Sequence, residues 1–223
     1  DATLIRQAIA ADPLTQAVEA AWKAGIFVVV SAGNYGRDNS FGENGYGTIT
    51  SPGNDPYVIT VGAMNAKGTR SIMDDVPATY SSKGPTAIDH IVKPDLVAPG
   101  NQINSVLSPY STLSALSSTK VALTEYQSVL SLLFSSSYLK LSGTSMAAPL
   151  VSGTAALMFD KNPNLTPDQV KAILMKTANK NLVKYATVYD ASTGITYNEQ
   201  ADMFTVGAGY LDANAALKSL REA

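Results

Sequence analysis

The stretch GIFVVVSAGN (residues 25–34) sets phenylalanine and three valines side by side with no polar residue among them. A strand with one wet face alternates apolar and polar residues, because successive side chains point to opposite faces. A run without alternation needs apolar cover on both faces, and a parallel sheet flanked by helices supplies it. YVITVGAM (57–64) repeats the pattern, and KPDLVAPG (93–100) gives a third, shorter strand that ends in a Pro-Gly turn. A helix precedes the first strand. In 13–24 the apolar residues fall at Leu14, Ala17, Val18, Ala21 and Trp22, with Asp12 to cap, Pro13 in the first turn and Gly25 as the stop. Helices alternating with buried strands predict a doubly wound α/β layer structure.

The C-terminal half continues the scheme. Residues 145–160 read as a helix of small side chains (Ala147, Ala148, Gly153, Ala155, Ala156) that lets neighbours approach closely. NLTPDQVKAILMKTA (164–178) is amphipathic, with Thr166 as cap, Pro167 at the start and Gln169 completing a capping box. Residues 185–206 read as a hairpin turning near DASTG, and GAGYLDANAALKSL closes the chain with a capped surface helix. Residues 105–138, rich in Ser, Thr, Leu and Tyr, read as an insertion with a short helix near Thr124–Phe134, or as a flexible serine-rich loop. No internal repeat and no interdomain linker divides residues 1–223, so one domain is expected.

The chain's 223 residues suffice for a substantial core, and only 15% are charged, below the ~25% usual in globular chains. A net charge of −2 gives no basic footprint for nucleic acid. The absence of cysteine removes disulfides, thiol nucleophiles and cysteine metal sites. No apolar run approaches the ~20 residues of a membrane span. The first residue is Asp1 rather than Met, so a processed product or a portion of something longer is expected.

LSGTSMAAPLVSGTAALM (141–158) raises the chemical question. Ser145 stands after Gly143 and Thr144, where a tight turn enters a helix. A helix start offers unpaired N–H groups and partial positive charge, the surroundings an oxyanion needs. A nucleophilic serine also needs a base and a group to orient that base. Gly143-Thr144-Ser145-Met146-Ala147 nearly matches the G-x-S-x-G elbow of α/β-hydrolases, but that fold carries its histidine after the serine, and the single histidine here, His90, precedes it.

The longer string SGTSMAAP resembles the nucleophile motif of the subtilisin-like serine proteases. GIFVVVSAGNYG (25–36) resembles that family's oxyanion segment, which makes Asn34 the expected side-chain donor. TITSPGNDPYVITVGA (48–63) resembles the wall of the primary specificity pocket, and YSSKGP (80–85), KPDLVAPG and the closing helices follow in the family's order. The resemblance covers nearly the whole chain apart from 105–138. It implies a three-layer α/β fold with a mainly parallel sheet and helices on both faces, incomplete at its N-terminus. It also implies a serine endopeptidase in which Ser145 and Asn34 are catalytic, while Ser31, Ala32, Gly33, Thr50, Gly143 and Thr144 bind substrate.

The family's aspartate and histidine both lie upstream of the oxyanion asparagine, yet only 33 residues precede Asn34 here and none is histidine. An upstream fragment carrying Asp and His is therefore the expected partner, beside a polypeptide substrate. His90 reads as a loop residue, Asp95 as structural, and alternation in YLKLSG turns Lys140 away from a Ser–Lys dyad. Relatives that use Glu and Asp with a GTS serine usually carry aspartate at the oxyanion position, which Asn34 does not match. Thr50, at a position often glycine in the family, predicts a shallow pocket for small to medium apolar residues, and Leu150 replaces a frequent histidine with packing effects only. No cofactor is required. Calcium is admitted as a structural ion, although Asp38, Asn39, Asp55, Asp74 and Asp75 show no ligand spacing. Secreted and cytoplasmic bacterial locations both fit. An esterase for short acyl groups and a non-catalytic protease-like binding module stand as the alternatives.

Overall fold

The computed structural model describes residues 11–40, 42–108, 110–115, 117–126 and 136–220. Strand β2 (Ile59–Asn65) is the centre of the main sheet. It pairs in parallel with β1 (Val29–Ser31), Val29 opposite Ile59, and with β4 (Leu96–Pro99), Val61 opposite Leu96. A two-residue strand β3 (Val76–Pro77) runs antiparallel against the end of β2, so the sheet is mainly parallel. Six of the seven residues of β2 are buried, as the absence of alternation requires. The first strand is shorter than its apolar run: Ile26–Val28 lie outside β1, although Ile59 N–H donates to the Val28 carbonyl at 3.1 Å.

The pleat separates two cores. Ile59, Val61, Ala63, Leu96 and Ala98 face one way and pack on α2 (Thr144–Lys161), α3 (Pro167–Thr177) and α5 (Ala213–Ser219) through Ala147, Val151, Ala155, Met158, Val170, Leu174 and Ala216. Val30 and Val58 point the other way onto Trp22 of α1 (Pro13–Lys23), and Met64 and Val97 meet Val206 of α4 (Met203–Val206) and Tyr210. Helices thus cover both faces. Each fully buried Val, Leu or Ile contributes about 1.5–3 kcal/mol of transfer free energy. That concentration of burial fixes β2 and, through α2, the position of Ser145.

The capping signals are realised. Thr166 Oγ1 accepts from Gln169 N–H at 3.3 Å while Gln169 Oε1 accepts from Thr166 N–H at 2.9 Å. Asp12 caps α1, and Trp22 Nε1–H donates to Asp168 Oδ1 at 2.8 Å, tying α1 to the first turn of α3. The closing helix is less superficial than expected, since its Ala216 is fully buried. The expected insertion springs from an antiparallel stem, β5 (Ile103–Val106) on β6 (Tyr138–Leu141), and carries short 3-10 turns. The helix expected near Thr124–Phe134 lies mostly outside the described residues, and only the turn Leu123–Glu125 reaches it.

The hairpin forms as β7 (Tyr185–Asp190) and β8 (Ile195–Gln200), with its turn at 191–194. It ends earlier than expected because the Asp202 side chain accepts from Phe204 and Thr205 N–H, which starts α4. Among the described residues no helix is long and apolar enough to cross a membrane.

Candidate active site

Gly143 sets the geometry. It precedes α2 at φ +155°, ψ 159°, a region open in practice to glycine alone. The turn makes Thr144 the first helical residue and Ser145 the second, exposed one. As the second residue, Ser145 has no carbonyl within the helix for its N–H. Pro149 lacks the N–H that the Ser145 carbonyl would otherwise accept. Ser145 therefore presents a hydroxyl and an unused N–H where the helix dipole is positive.

Asn34 is bound to that helix start. Its Oδ1 accepts from Thr144 N–H at 3.0 Å and from the Thr144 hydroxyl at 3.1 Å. Thr144 Oγ1 in turn accepts from Gly33 N–H at 3.2 Å. Two donors on Oδ1 fix the orientation of the carboxamide, since a flip would place Nδ2–H against Thr144 N–H. Among the described residues no hydrogen bond engages Nδ2, so its hydrogens are available. A Cβ built on Gly143 would lie 3.5 Å from Nδ2, so the amide sits directly on the turn that carries Ser145. The sequence separates these residues by 110 positions, and the β1–β2–α2 packing brings them together.

The other expected site residues divide by exposure. Ser31 closes β1 and is half-buried. Gly33 holds φ +107°, and a Cβ there would lie 2.8 Å from Ser82 Oγ and 3.4 Å from Thr50 Oγ1. Thr50 thus abuts Gly33. Ala32 and Thr144 are fully buried, so their side chains stand behind the surface, and Gly143 is buried too. Thr144, expected to contact substrate, is bonded to Asn34 and Gly33.

Among the described residues no hydrogen bond reaches the Ser145 hydroxyl. His90 lies exposed in a loop at φ +53°, its N–H on the Thr86 carbonyl. Asp95 is buried and taken: Oδ2 accepts from Lys93 Nζ at 2.7 Å and Thr60 N–H at 2.6 Å, and Lys171 Nζ lies 3.1 Å from Oδ1. Lys140 pairs with Glu125 at 3.5 Å. The metal candidates are scattered over local bonds. Asp38 accepts from Ser40, Asn39 from Asn44 N–H, Asp55 from Tyr57 and Val58 N–H, and Asp74 from Thr69. Asp75 is buried beside Tyr210. Among the described residues no three acidic or histidine side chains converge.

One element of the site escaped the sequence reading. A cleft of about 700 Å³ joins Asn34 and Ser142 to Tyr80 and to the hairpin turn. Arg37, three residues after Asn34, crosses it. Its Nε donates to Thr79 Oγ1 at 3.0 Å, Nη2 pairs with Asp190, and its guanidinium lies 5.6 Å from the ring centres of both Tyr80 and Tyr197. Burial is the largest influence on Asp190 and acts upward. The hydrogen bonds from Ser192 and Thr79 and the Arg37 charge outweigh it and hold the carboxyl below its ordinary value. Burial pushes Tyr80 up to about 12, so its phenol stays protonated and donates to the Gly100 carbonyl at 2.9 Å. The signal available in sequence was an arginine beside the oxyanion segment and an acidic residue at a hairpin turn, neither of which names the other.

Comparison with known proteins finds relatives along most of the chain. The model of the subtilase family matches residues 6–209. Serine protease AprX of Bacillus subtilis is 43% identical over 181 residues, covering 81% of this chain and 36% of that protein. Subtilisin DY of Bacillus licheniformis is 34% identical over 165 residues, covering 74% and 44%. The crystal structure of fervidolysin from Fervidobacterium pennivorans, a keratinolytic enzyme related to subtilisin, superposes with a TM-score of 0.59 at 25% identity, over 92% of this chain and 24% of that one. This chain thus spans less than half the length of each of these relatives.

Proposed function

Because the chain belongs to the subtilase family, we propose that it carries the nucleophile and oxyanion hole of a serine endopeptidase. The observation that carries this reading is the pair of Thr144 bonds that lock Asn34 Oδ1 and free Nδ2 beside Ser145. Ser145 Oγ attacks the carbonyl carbon of the scissile peptide, and its proton passes to a base. The carbonyl oxygen takes the electron pair and lies between Asn34 Nδ2–H and Ser145 N–H, donors already in place before reaction. Collapse expels the amine, which takes the proton, and leaves an ester on Ser145 that water then hydrolyses. The scheme uses protein groups only. Ser31, Gly33 and Thr50 border the pocket for the residue before the bond, and Thr50 keeps it shallow.

The base and its orienting carboxylate belong, in this reading, to an upstream segment outside this chain. Two features support it. Helix α2 is apolar nearly all round, which is the pattern of a helix buried on every side, yet it exposes Leu150, Gly153, Ala156 and Leu157 along one flank. Beside it, the outer edge of β1 has no partner among the described residues, although parallel strands are normally covered and paired. A segment that adds a strand to β1 and covers this flank of α2 also reaches Ser145.

A fluorophosphonate probe tests the reading. The full-length protein should be labelled at Ser145 and should cleave casein. Asn34→Leu should keep its fold and lose about 10²–10³ in kcat, a figure known from a subtilisin oxyanion-hole asparagine and carried over from it. Absence of labelling in the full-length protein would favour a binding module. Turnover of a p-nitrophenyl ester without any casein cleavage would favour an esterase.

A further inference from the structure

Attack on a carbonyl uses Ser145 and Asn34 but leaves the cleft beyond Asn34 unexplained. Its volume, about 700 Å³, falls within the ~300–1,000 Å³ of clefts that hold sizeable ligands, room for more than one side chain. From a peptide carbonyl seated at Asn34, the acyl side and the leaving amine run in opposite directions. Ser31, Gly33 and Thr50 gather on one side of Asn34. The cleft that runs past Ser142 to the hairpin turn shares Asn34 with that group and none of its other members, so it is the space left for the residues on the amine side.

Resting on the endopeptidase reading, we propose that the β7–β8 hairpin is the specificity wall for the residues that follow the scissile bond, and that it selects large uncharged side chains there. The wall is fixed at both ends. At the turn, Asp190 is held by Arg37 and by the Thr79 hydroxyl at 3.1 Å. At the base, Glu199 pairs with Lys83 at 2.8 Å, both side chains buried. A clamped hairpin presents one shape to the substrate, and a preorganised wall loses no ordering free energy on binding.

The lining dictates the chemistry it takes. Arg37 is spent: its nitrogens reach Thr79, Asp190 and, at 3.5 Å, Ser192, and two tyrosine rings lie against it. Among the described residues that line the cleft no cation is left for an acidic substrate residue, and Asp190 is equally spent for a basic one. What the cleft offers instead is carboxamides, among them Asn101, whose Nδ2 donates to Asn65 Oδ1 at 3.1 Å, and the ring of Tyr189, which is 67% exposed at the turn. An exposed aromatic ring beside neutral amides suits residues such as tyrosine or glutamine. A charge entering this space sheds water and gains no counter-ion.

The test is competition, in the full-length protease, among peptides identical before the scissile bond and bearing Tyr, Gln, Asp or Lys after it. The native protein should cleave the Tyr and Gln peptides about tenfold faster than the charged ones, a difference of about 1.4 kcal/mol. Arg37→Met leaves Asp190 unpaired and should turn the preference toward Lys. Asp190→Asn frees Arg37 and should turn it toward Asp. Tyr189→Ala, at an exposed position, should lower the Tyr preference and serves if the charge variants fail to fold. Cleavage of all four peptides with no discrimination, or discrimination unchanged in the folded variants, overturns the proposal while leaving the endopeptidase reading intact. Cleavage of none overturns both.

Discussion

Replacing Thr144 with valine removes one hydroxyl and two hydrogen bonds from a fully buried position. The Gly33 N–H loses its acceptor, which costs about 1–3 kcal/mol, and Asn34 Oδ1 loses one of its two donors, about 1 kcal/mol. The added methyl returns about 0.8 kcal/mol of burial. The net destabilisation is about 2 kcal/mol. Thr144→Ser keeps both bonds and forfeits only a buried methyl, about 0.8 kcal/mol. The two variants therefore separate packing from positioning. Asn34 retains the Thr144 backbone donor in both, so its carboxamide loosens in the valine variant without flipping outright. In the full-length protein, kcat on a peptide should fall about tenfold in the valine variant, or 1.4 kcal/mol of lost transition-state stabilisation. KM should be unmoved, and the serine variant should keep most of the native kcat. Denaturant unfolding measures the stability difference and steady-state kinetics the rest. Native kcat in the valine variant, or an equal loss in the serine variant, would refute the claim that the hydroxyl positions Asn34.

Gly143→Ala forces a Cβ into a glycine-only backbone region; about 1–3 kcal/mol of strain is expected, together with loss of fluorophosphonate labelling that a buried glycine in ordinary conformation would not produce. Alkaline pH probes the buried cluster behind β2. Burial pushes Lys93 down to about 8 against the pull of Asp95, while an unfolded lysine titrates near ~10.4. Between those values the unfolded chain binds more protons, so stability should rise with pH through this window, by at most about 1.4 kcal/mol per unit, and the gain disappears as pH falls through about 8. Lys93→Met should flatten the rise, and an equally steep rise in that variant would contradict the assignment.

The chemistry that was legible came from local pattern. Largely apolar runs marked β2 and β4, the Thr166–Gln169 pair marked α3, and the glycine before Thr144 marked the turn that lifts Ser145. Each rests on residues close in sequence. What escaped depends on contacts across the chain. That Thr144 holds Asn34 follows from packing over 110 residues, and the Arg37–Asp190 clamp spans 153. A salt bridge of that separation leaves no period and no spacing in sequence. Helix ends were similarly hidden where one polar side chain decided them: Asp202 turned the tail of the expected hairpin into α4.

The convergence of Ser145 and Asn34 on one point is tested most directly by the crystal structure of a phosphonate adduct of the full-length protein. Convergence requires the phosphorus on Ser145 Oγ, with one phosphonyl oxygen about 2.7–3.1 Å from both Asn34 Nδ2 and Ser145 N. An adduct whose oxygens all point to solvent, with Nδ2 of Asn34 turned back onto Thr144, would contradict it.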